Sequence, residues 1–315
     1  MAETVRYWAH DRFTFPLPEG HRFPAGKYRL LRERLLEIGL AAPADLAEPR
    51  AARWADLALV HEARFLDRLR AGTLTVREQR AIGLPWSTWL VERARRSAQG
   101  TVEAARDALA GGLGMNLGGG THHAGRSGAR GYCLVNDVAL AMAVLRRDGA
   151  IGRAVVVDCD VHQGDGTADL LGRDPETFTL SLHCARNYPF RRIPSDLDVE
   201  IPADTGDEAY LAQLGAALDV ALAAGPPRLA FYLAGADPWE HDALGRLSLT
   251  REGLRARDAL VLDRLCATGA AVCVVLAGGY APDIRDTVAI NLATAAEVAA
   301  RADGTAASGR LVAAT

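Results

Sequence analysis

Lysine is almost missing from this 315-residue chain: Lys27 is the only one, and every other basic side chain is arginine. With the abundant alanine, that bias points to a GC-rich coding sequence and a bacterial source. Cysteine is sparse as well. Cys133, Cys159, Cys184, Cys266 and Cys273 are odd in number and include no C-x-x-C pair, which argues against a disulfide framework and for reduced, mostly buried thiols. There is no excess of positive charge. A formal net charge of −3 leaves no basic footprint for nucleic acid. No apolar run approaches the ~18 residues of a membrane span. The first fifteen residues carry Glu3, Arg6, Asp11 and Arg12 around no apolar core, so no signal peptide is expected. These absences together predict a cytoplasmic protein with neither a nucleic-acid nor a membrane partner.

What is present is an ordinary globular balance, 49% hydrophobic and 24% charged, on a chain long enough for one large domain. Helical spacing of leucines with arginines between them predicts helices over Tyr28–Ile38, Ala55–Leu69 and Ser87–Leu109. Short apolar runs then alternate with amphipathic stretches. Strands are expected at Leu113–Leu117, Ala154–Val157, Thr177–Leu182, Leu229–Leu233 and Ala271–Leu276. Helices are expected at Val135–Leu145, Tyr210–Ala223, Arg251–Cys266 and Ile284–Ala300. This alternation is the pattern of an α/β fold whose central, mostly parallel sheet carries helices on both faces. A single domain over residues 1–315 is expected, with 303–315 a loose tail.

The unusual polar clusters sit at strand ends: Gly118-Gly-Gly-Thr-His-His123, Asp158 to His162, Ser181-Leu-His183, Gly235-Ala-Asp237 and Gly278-Gly-Tyr280. Open α/β sheets bind ligands outside the carboxyl ends of their strands, so five clusters converge on one crevice. In Asp158-Cys-Asp-Val-His162, alternate residues share a face while the chain stays extended. Buried there, two carboxylates and an imidazole are costly unless they hold a cation. Carboxylate and imidazole are ordinary zinc ligands.

These motifs, with Gly131-Tyr-Cys133 and Gln163-Gly-Asp165-Gly166, resemble the zinc-dependent histone deacetylase family of the arginase/deacetylase superfamily, from about Phe13 to about Ala300. Gly83-Leu-Pro-Trp86, Asn116-Leu-Gly-Gly-Gly and Asp160-Val-His-Gln are similar to its class IV branch. The resemblance implies an arginase/deacetylase-like fold and a zinc amidohydrolase that removes an acetyl or longer acyl group from an amine. It implies zinc on Asp160, His162 and Asp237. Asp158 is expected to orient His122, and Asp165 to orient His123. His123 is implied as the base that takes a proton from water and returns it to the leaving amine, with His122 in electrostatic support. Tyr280 is implied as the donor to the developing oxyanion. Asp158, Ser181 and Leu182 are implied to hold potassium. Tyr132 and Tyr188 are expected as aromatic walls, the Gly131 carbonyl as acceptor of the amide N–H, and Leu244 as a rim residue.

Three departures bear on the substrate. The family's usual glycine is Ala277 here, and its frequent asparagine is Ala281. The rim residue Leu244 is not acidic, which argues against polyamines. No acid lies in Ile82–Trp86 to grip a peptide backbone, and class IV likeness implies an apolar acyl pocket. Acyl-lysine is therefore the expected substrate, with acylated polyamines or a small acylated metabolite as the alternative. His10, His21 and His61 are expected at the surface or rim, His183 as a structural hydrogen-bonder and His241 near the entrance. Asp158-Cys-Asp also fits an aspartate-nucleophile phosphatase. That chemistry needs a threonine two residues on, where His162 stands, and a distant lysine, whereas Lys27 precedes the sheet. A binuclear manganese site needs more bridging aspartates. A non-catalytic acyl-amide binding module is expected to lack His123 or Tyr280, and both are present.

Overall fold

The structure, a computed structural model, describes residues 5–302; the expected loose tail, 303–315, lies outside the described residues, as does Glu3. Eight strands form one wholly parallel sheet: β1 (Tyr7–Trp8), β2 (Leu46–Ala47), β3 (Leu113–Asn116), β4 (Ala154–Asp158), β5 (Thr177–Cys184), β6 (Leu197–Ile201), β7 (Leu229–Leu233) and β8 (Ala271–Val275), in the order β2-β1-β3-β8-β7-β4-β5-β6. The central strands are buried throughout, as continuous apolar runs in a parallel sheet require. Alternate residues feed opposite faces. Val155, Val157, Tyr232 and Val274 pack against one helical layer. Val156, Phe231, Leu233 and Val275 pack against the other.

The first layer comprises α1 (Lys27–Glu37), α8 (Asp207–Ala223), α9 (Arg251–Ala267) and α10 (Ile284–Ala302). The second is dominated by α5 (Thr88–Gly111) and α6 (Asp137–Arg147), flanked by α2 (Trp54–Leu57), α3 (Ala63–Ala71) and α4 (Val76–Ile82); α7 (Asp165–Leu171) follows β4. Helix starts follow side-chain chemistry. Ser87, Asn136 and Thr250 each accept a hydrogen bond from the backbone N–H three residues on, which satisfies donors that a helix leaves unpaired.

The chain leaves β4 toward β5 on one side and leaves β7 toward β8 on the other, so connections diverge between β4 and β7. That is the switch point where a parallel sheet opens a ligand crevice. Two expectations are corrected. The single helix over Ala55–Leu69 is broken between α2 and α3, because His61 turns inward to Gly125 and Asn136. Ser181-Leu182-His183 does not follow a strand; pairing with β6 extends β5 to Cys184.

Candidate active site

Four strand ends deliver the site. β4 stops at Asp158 because the chain curls around its own carboxylates: Asp158 Oδ1 accepts the Asp160 N–H at 3.1 Å, and Asp160 Oδ1 accepts the His162 N–H at 2.9 Å. The extended geometry thus ends at Asp158, which separates it from the two residues beyond. Asp237, past the end of β7, accepts the Val161 N–H on Oδ1 at 2.9 Å. Gly278, past β8, donates its N–H to Asp160 Oδ2 at 2.8 Å. A side chain at Gly278 would occupy the space of the Asp160 and Asp237 carboxylates.

Asp160, His162 and Asp237 each offer a ligand atom within 4.8 Å of the others, and all three are buried. Asp237 Oδ2 is buried without a hydrogen-bond partner. Burial and the neighbouring Asp160 charge push the Asp237 carboxyl up to about 7. Burial lowers the His162 imidazole, but the same two carboxylates outweigh it and hold it at about 10. Two buried carboxylates pressed together, with an orphaned oxygen, fit a divalent cation. Three ligands of this kind leave a position open on a catalytic ion.

The paired histidines lie beside this cluster. His122 Nδ1 is 2.6 Å from Asp158 Oδ2, and His123 Nδ1 is 2.7 Å from Asp165 Oδ1. Each imidazole therefore has one nitrogen fixed by a carboxylate and the other turned to the cavity. Their protonation diverges. Burial lowers His122, but Asp158 and Asp160 overcome it and raise the ring to about 9. Burial and the His122 charge hold His123 down at about 4. One ring is charged and its neighbour neutral at pH 7. Arg130 anchors the second pair: its Nε lies 3.0 Å from Asp165 Oδ2 and donates to the His123 carbonyl at 2.9 Å.

Tyr280 completes the group. Its phenol is raised well above 10 by burial and by the Asp160 and Asp237 charges, so it stays a proton donor. Ala277, at the expected glycine position, holds φ = 45°, a left-handed conformation that costs a non-glycine residue free energy and is found at functional loops. Asp242 steadies this loop. Its Oδ2 accepts the Tyr280 N–H at 2.6 Å, and its Oδ1 accepts the N–H groups of Leu244 and Gly245.

Two connected cavities meet here. An outer vestibule of about 300 Å³ is lined by Ile82, Gly131, Tyr132, Tyr188 and Leu244, so the expected channel residues come together. An inner chamber of about 50 Å³ is lined by Tyr28, Arg93, Ser97 and Thr121. Both share His123, Gly131, Tyr132, His162 and Tyr280. The inner chamber is small and partly polar, unlike the expected apolar acyl pocket. Gly131 and Tyr132 take φ of 54° and 65° and are tied to α4 through the Ala81 and Ile82 carbonyls. Any side chain at Gly131 would meet His123 Cδ2 at 2.5 Å. Asp158 and Ser181 are register partners on β4 and β5, and the Ser181 hydroxyl lies 2.9 Å from His183 Nδ1.

Several residues escape sequence reasoning. Asp242 and Arg93 carry no motif signal. Asp137 accepts hydrogen bonds from Gly120, Thr121 and Thr101 and so fixes the loop ahead of His122. His10 and His61 are buried rather than at the surface. His61 Nδ1 faces the Gly125 carbonyl at 2.9 Å, and its Nε2 accepts the Asn136 N–H at 3.0 Å. His241 is largely exposed and lines neither cavity. Four of the five cysteines are buried and all are free, as expected.

Residues 21–296 match the histone deacetylase domain. The chain is 43% identical over 279 residues to an uncharacterized protein of Picosynechococcus sp., covering 89% of this chain and 93% of that one. It is 30% identical over 285 residues to a histone deacetylase-like amidohydrolase of Pseudomonas aeruginosa, covering 84% and 74%. A crystal structure of an HDAC homolog complexed with SAHA shares the fold, with a TM-score of 0.83 at 21% identity over 98% of this chain and 86% of that one. This chain belongs to the histone deacetylase family of amide-bond hydrolases.

Proposed function

We propose that the chain is a zinc-dependent deacylase of acylated lysine side chains. The observation that carries the reading is the juxtaposition of Asp160, His162 and Asp237 with two carboxylate-backed imidazoles and the Tyr280 phenol on one cavity. Asp160, His162 and Asp237 would hold the ion, which supplies Lewis acidity toward a carbonyl oxygen and a water.

The side chains divide the remaining work. His123, neutral at pH 7, receives the proton from the attacking water on the nitrogen not occupied by Asp165. It then passes that proton to the amine nitrogen as the C–N bond breaks. Asp165 keeps its tautomer and orientation. His122, charged and paired with Asp158, stabilises negative charge beside the reacting carbon. Tyr280 donates its hydroxyl proton in a hydrogen bond to the carbonyl oxygen as that oxygen becomes anionic. Tyr132 and Tyr188 flank a narrow, unbranched stem, and the Gly131 carbonyl accepts the substrate N–H. The amine side leads outward through the vestibule, where Leu244 offers a polycation no counter-charge, so a lysine stem suits it better than a polyamine. We extend the proposal to potassium on Asp158, Ser181 and the Leu182 carbonyl, since Asp158 and Ser181 stand side by side on adjacent strands.

The test compares kcat/KM of the zinc-loaded chain on an acetyl-lysine peptide and on an acetylated polyamine. The peptide is expected to be preferred at least tenfold. A preference for the polyamine would overturn the lysine assignment.

A further inference from the structure

The inner chamber contains a charge that no acidic side chain among the described residues pairs with. Arg93 of α5 is only 9% exposed, and its Nη2 has no hydrogen-bond partner. Its guanidinium lies 4.3 Å from the centre of the Tyr28 ring, with Phe15 and Phe23 at 5.5 and 5.8 Å. The neighbouring arginines of the same helix, Arg95 and Arg96, both pair with Glu92. A second buried cation sits close by. Lys27, 2% exposed, reaches the Ala277 and Gly279 carbonyls at 3.3 and 3.4 Å and lies over the rings of Tyr28 and Tyr280. Ring faces and carbonyl dipoles solvate these charges without neutralising them, and a buried charge left uncompensated is strongly unfavourable. The field is felt locally: burial raises the Tyr28 phenol, yet Lys27 and Arg93 together bring it below its ordinary value. The missing partner is an anion.

Its identity follows from which end of the substrate can reach Arg93. The amine of an acylated lysine is attached to a large carrier and must point out through the vestibule. An amide placed across the shared residues His123, His162 and Tyr280 therefore turns its acyl group into the inner chamber. That chamber, about 50 Å³, holds about three to five waters at the ~10–15 Å³ each requires. Two methylenes and a carboxylate fill such a space, and a fatty chain does not.

We propose that the inner chamber binds the terminal carboxylate of an ω-carboxyacyl group of malonyl to succinyl length, paired with Arg93, so that the substrate class is a lysine acylated by a short dicarboxylic acid. The inference rests on the deacylase reading. Hydrolysis adds one water across the amide: the acyl C–O bond forms, the C–N bond breaks, and a dicarboxylate and a free amine leave. Ser97, on the same wall, offers its hydroxyl proton to the carboxylate, since its oxygen accepts the Gly119 N–H.

The test uses the zinc-loaded full chain and one lysine peptide carrying acetyl, succinyl or succinamoyl, the last being the neutral amide of the same shape. The succinyl peptide is expected to exceed the succinamoyl peptide in kcat/KM by roughly 10- to 100-fold, the usual effect of a charge-assisted hydrogen bond. In Arg93→Gln that ratio is expected to fall toward one. A ratio of one or below in the unaltered chain overturns the proposal, as does an unchanged ratio in Arg93→Gln. The first comparison needs no variant, so an unstable Arg93→Gln protein does not weaken the test. Cleavage of the acetyl peptide without a succinyl preference removes this inference alone; failure on all three peptides removes the deacylase reading with it.

Discussion

Tyr280 and Gly278 show how much can rest on single residues at the end of β8. The Tyr280 hydroxyl has no part in the proposed metal set, so Tyr280→Phe is expected to lower kcat by about 10²- to 10³-fold with metal content unchanged. Unaltered turnover would remove the oxyanion role. Gly278 has the opposite profile. A methyl group there would displace the Asp160 and Asp237 carboxylates, so Gly278→Ala is expected to lose bound metal, measured by elemental analysis of the dialysed protein. Full occupancy would contradict the packing argument. Sequence reading reaches this scale well where chemistry is packed into contiguous motifs, as in Asp158 to Asp165. It does not reach Asp242 or Arg93, whose importance arises from what the fold places opposite them. An arginine on an amphipathic helix reads as solvent-facing until α5 is seen to turn it onto Tyr28.

At the scale of elements, the divergence of connections between β4 and β7 decides where ligands meet. Asp160 and His162 come from one side of that crevice and Asp237 from the other. The apolar runs of β3, β4, β7 and β8 are legible because strands buried on both faces are apolar along most of their length, with Asn116 and Asp158 polar only at the carboxyl ends of β3 and β4. β6 is not legible: Leu197–Ile201 lies on the sheet edge, is half-exposed and alternates acids with aliphatics. β1 and β2, two residues each, are too short for periodicity to register. The break between α2 and α3 is hidden for another reason, since it rests on tertiary partners: those of His61, and the Arg126 carbonyl that accepts the Glu62 N–H at 2.8 Å. The loop between β7 and α9 offers a test of its own. Asp242 accepts three backbone N–H groups that carry Tyr280, Leu244 and Gly245. Asp242→Ala is expected to cut kcat at least tenfold and to cost about 1–3 kcal/mol of stability, with Asp242→Asn between it and the native chain. Wild-type kinetics in the alanine variant would show that the loop positions Tyr280 unaided.

At the scale of the whole molecule, His61 ties the N-terminal helical region to the loop after β3 and to the start of α6, its two nitrogens binding the Gly125 carbonyl and the Asn136 N–H. This arrangement requires a neutral ring protonated on Nδ1. Burial depresses the imidazole to about 4 from an ordinary value of 6.5. The unfolded chain therefore takes up the proton first on acidification. Stability is present in full above about pH 6.5 and is lost as pH falls toward about 4, by up to about 3 kcal/mol. Urea denaturation across that window is expected to show a smaller loss in His61→Gln, which keeps a neutral donor and acceptor; equal losses would remove His61 as the cause. The chemistry proposed for the crevice is that of a metal on Asp160, His162 and Asp237 serving a deacylase. Its most direct test measures acetate released from an acetyl-lysine peptide by the zinc-reconstituted chain and by Asp237→Ala treated identically. Many turnovers are expected from the chain carrying one zinc, and neither stoichiometric zinc nor turnover from the variant. A native chain with full zinc occupancy and no acetate release would contradict the account.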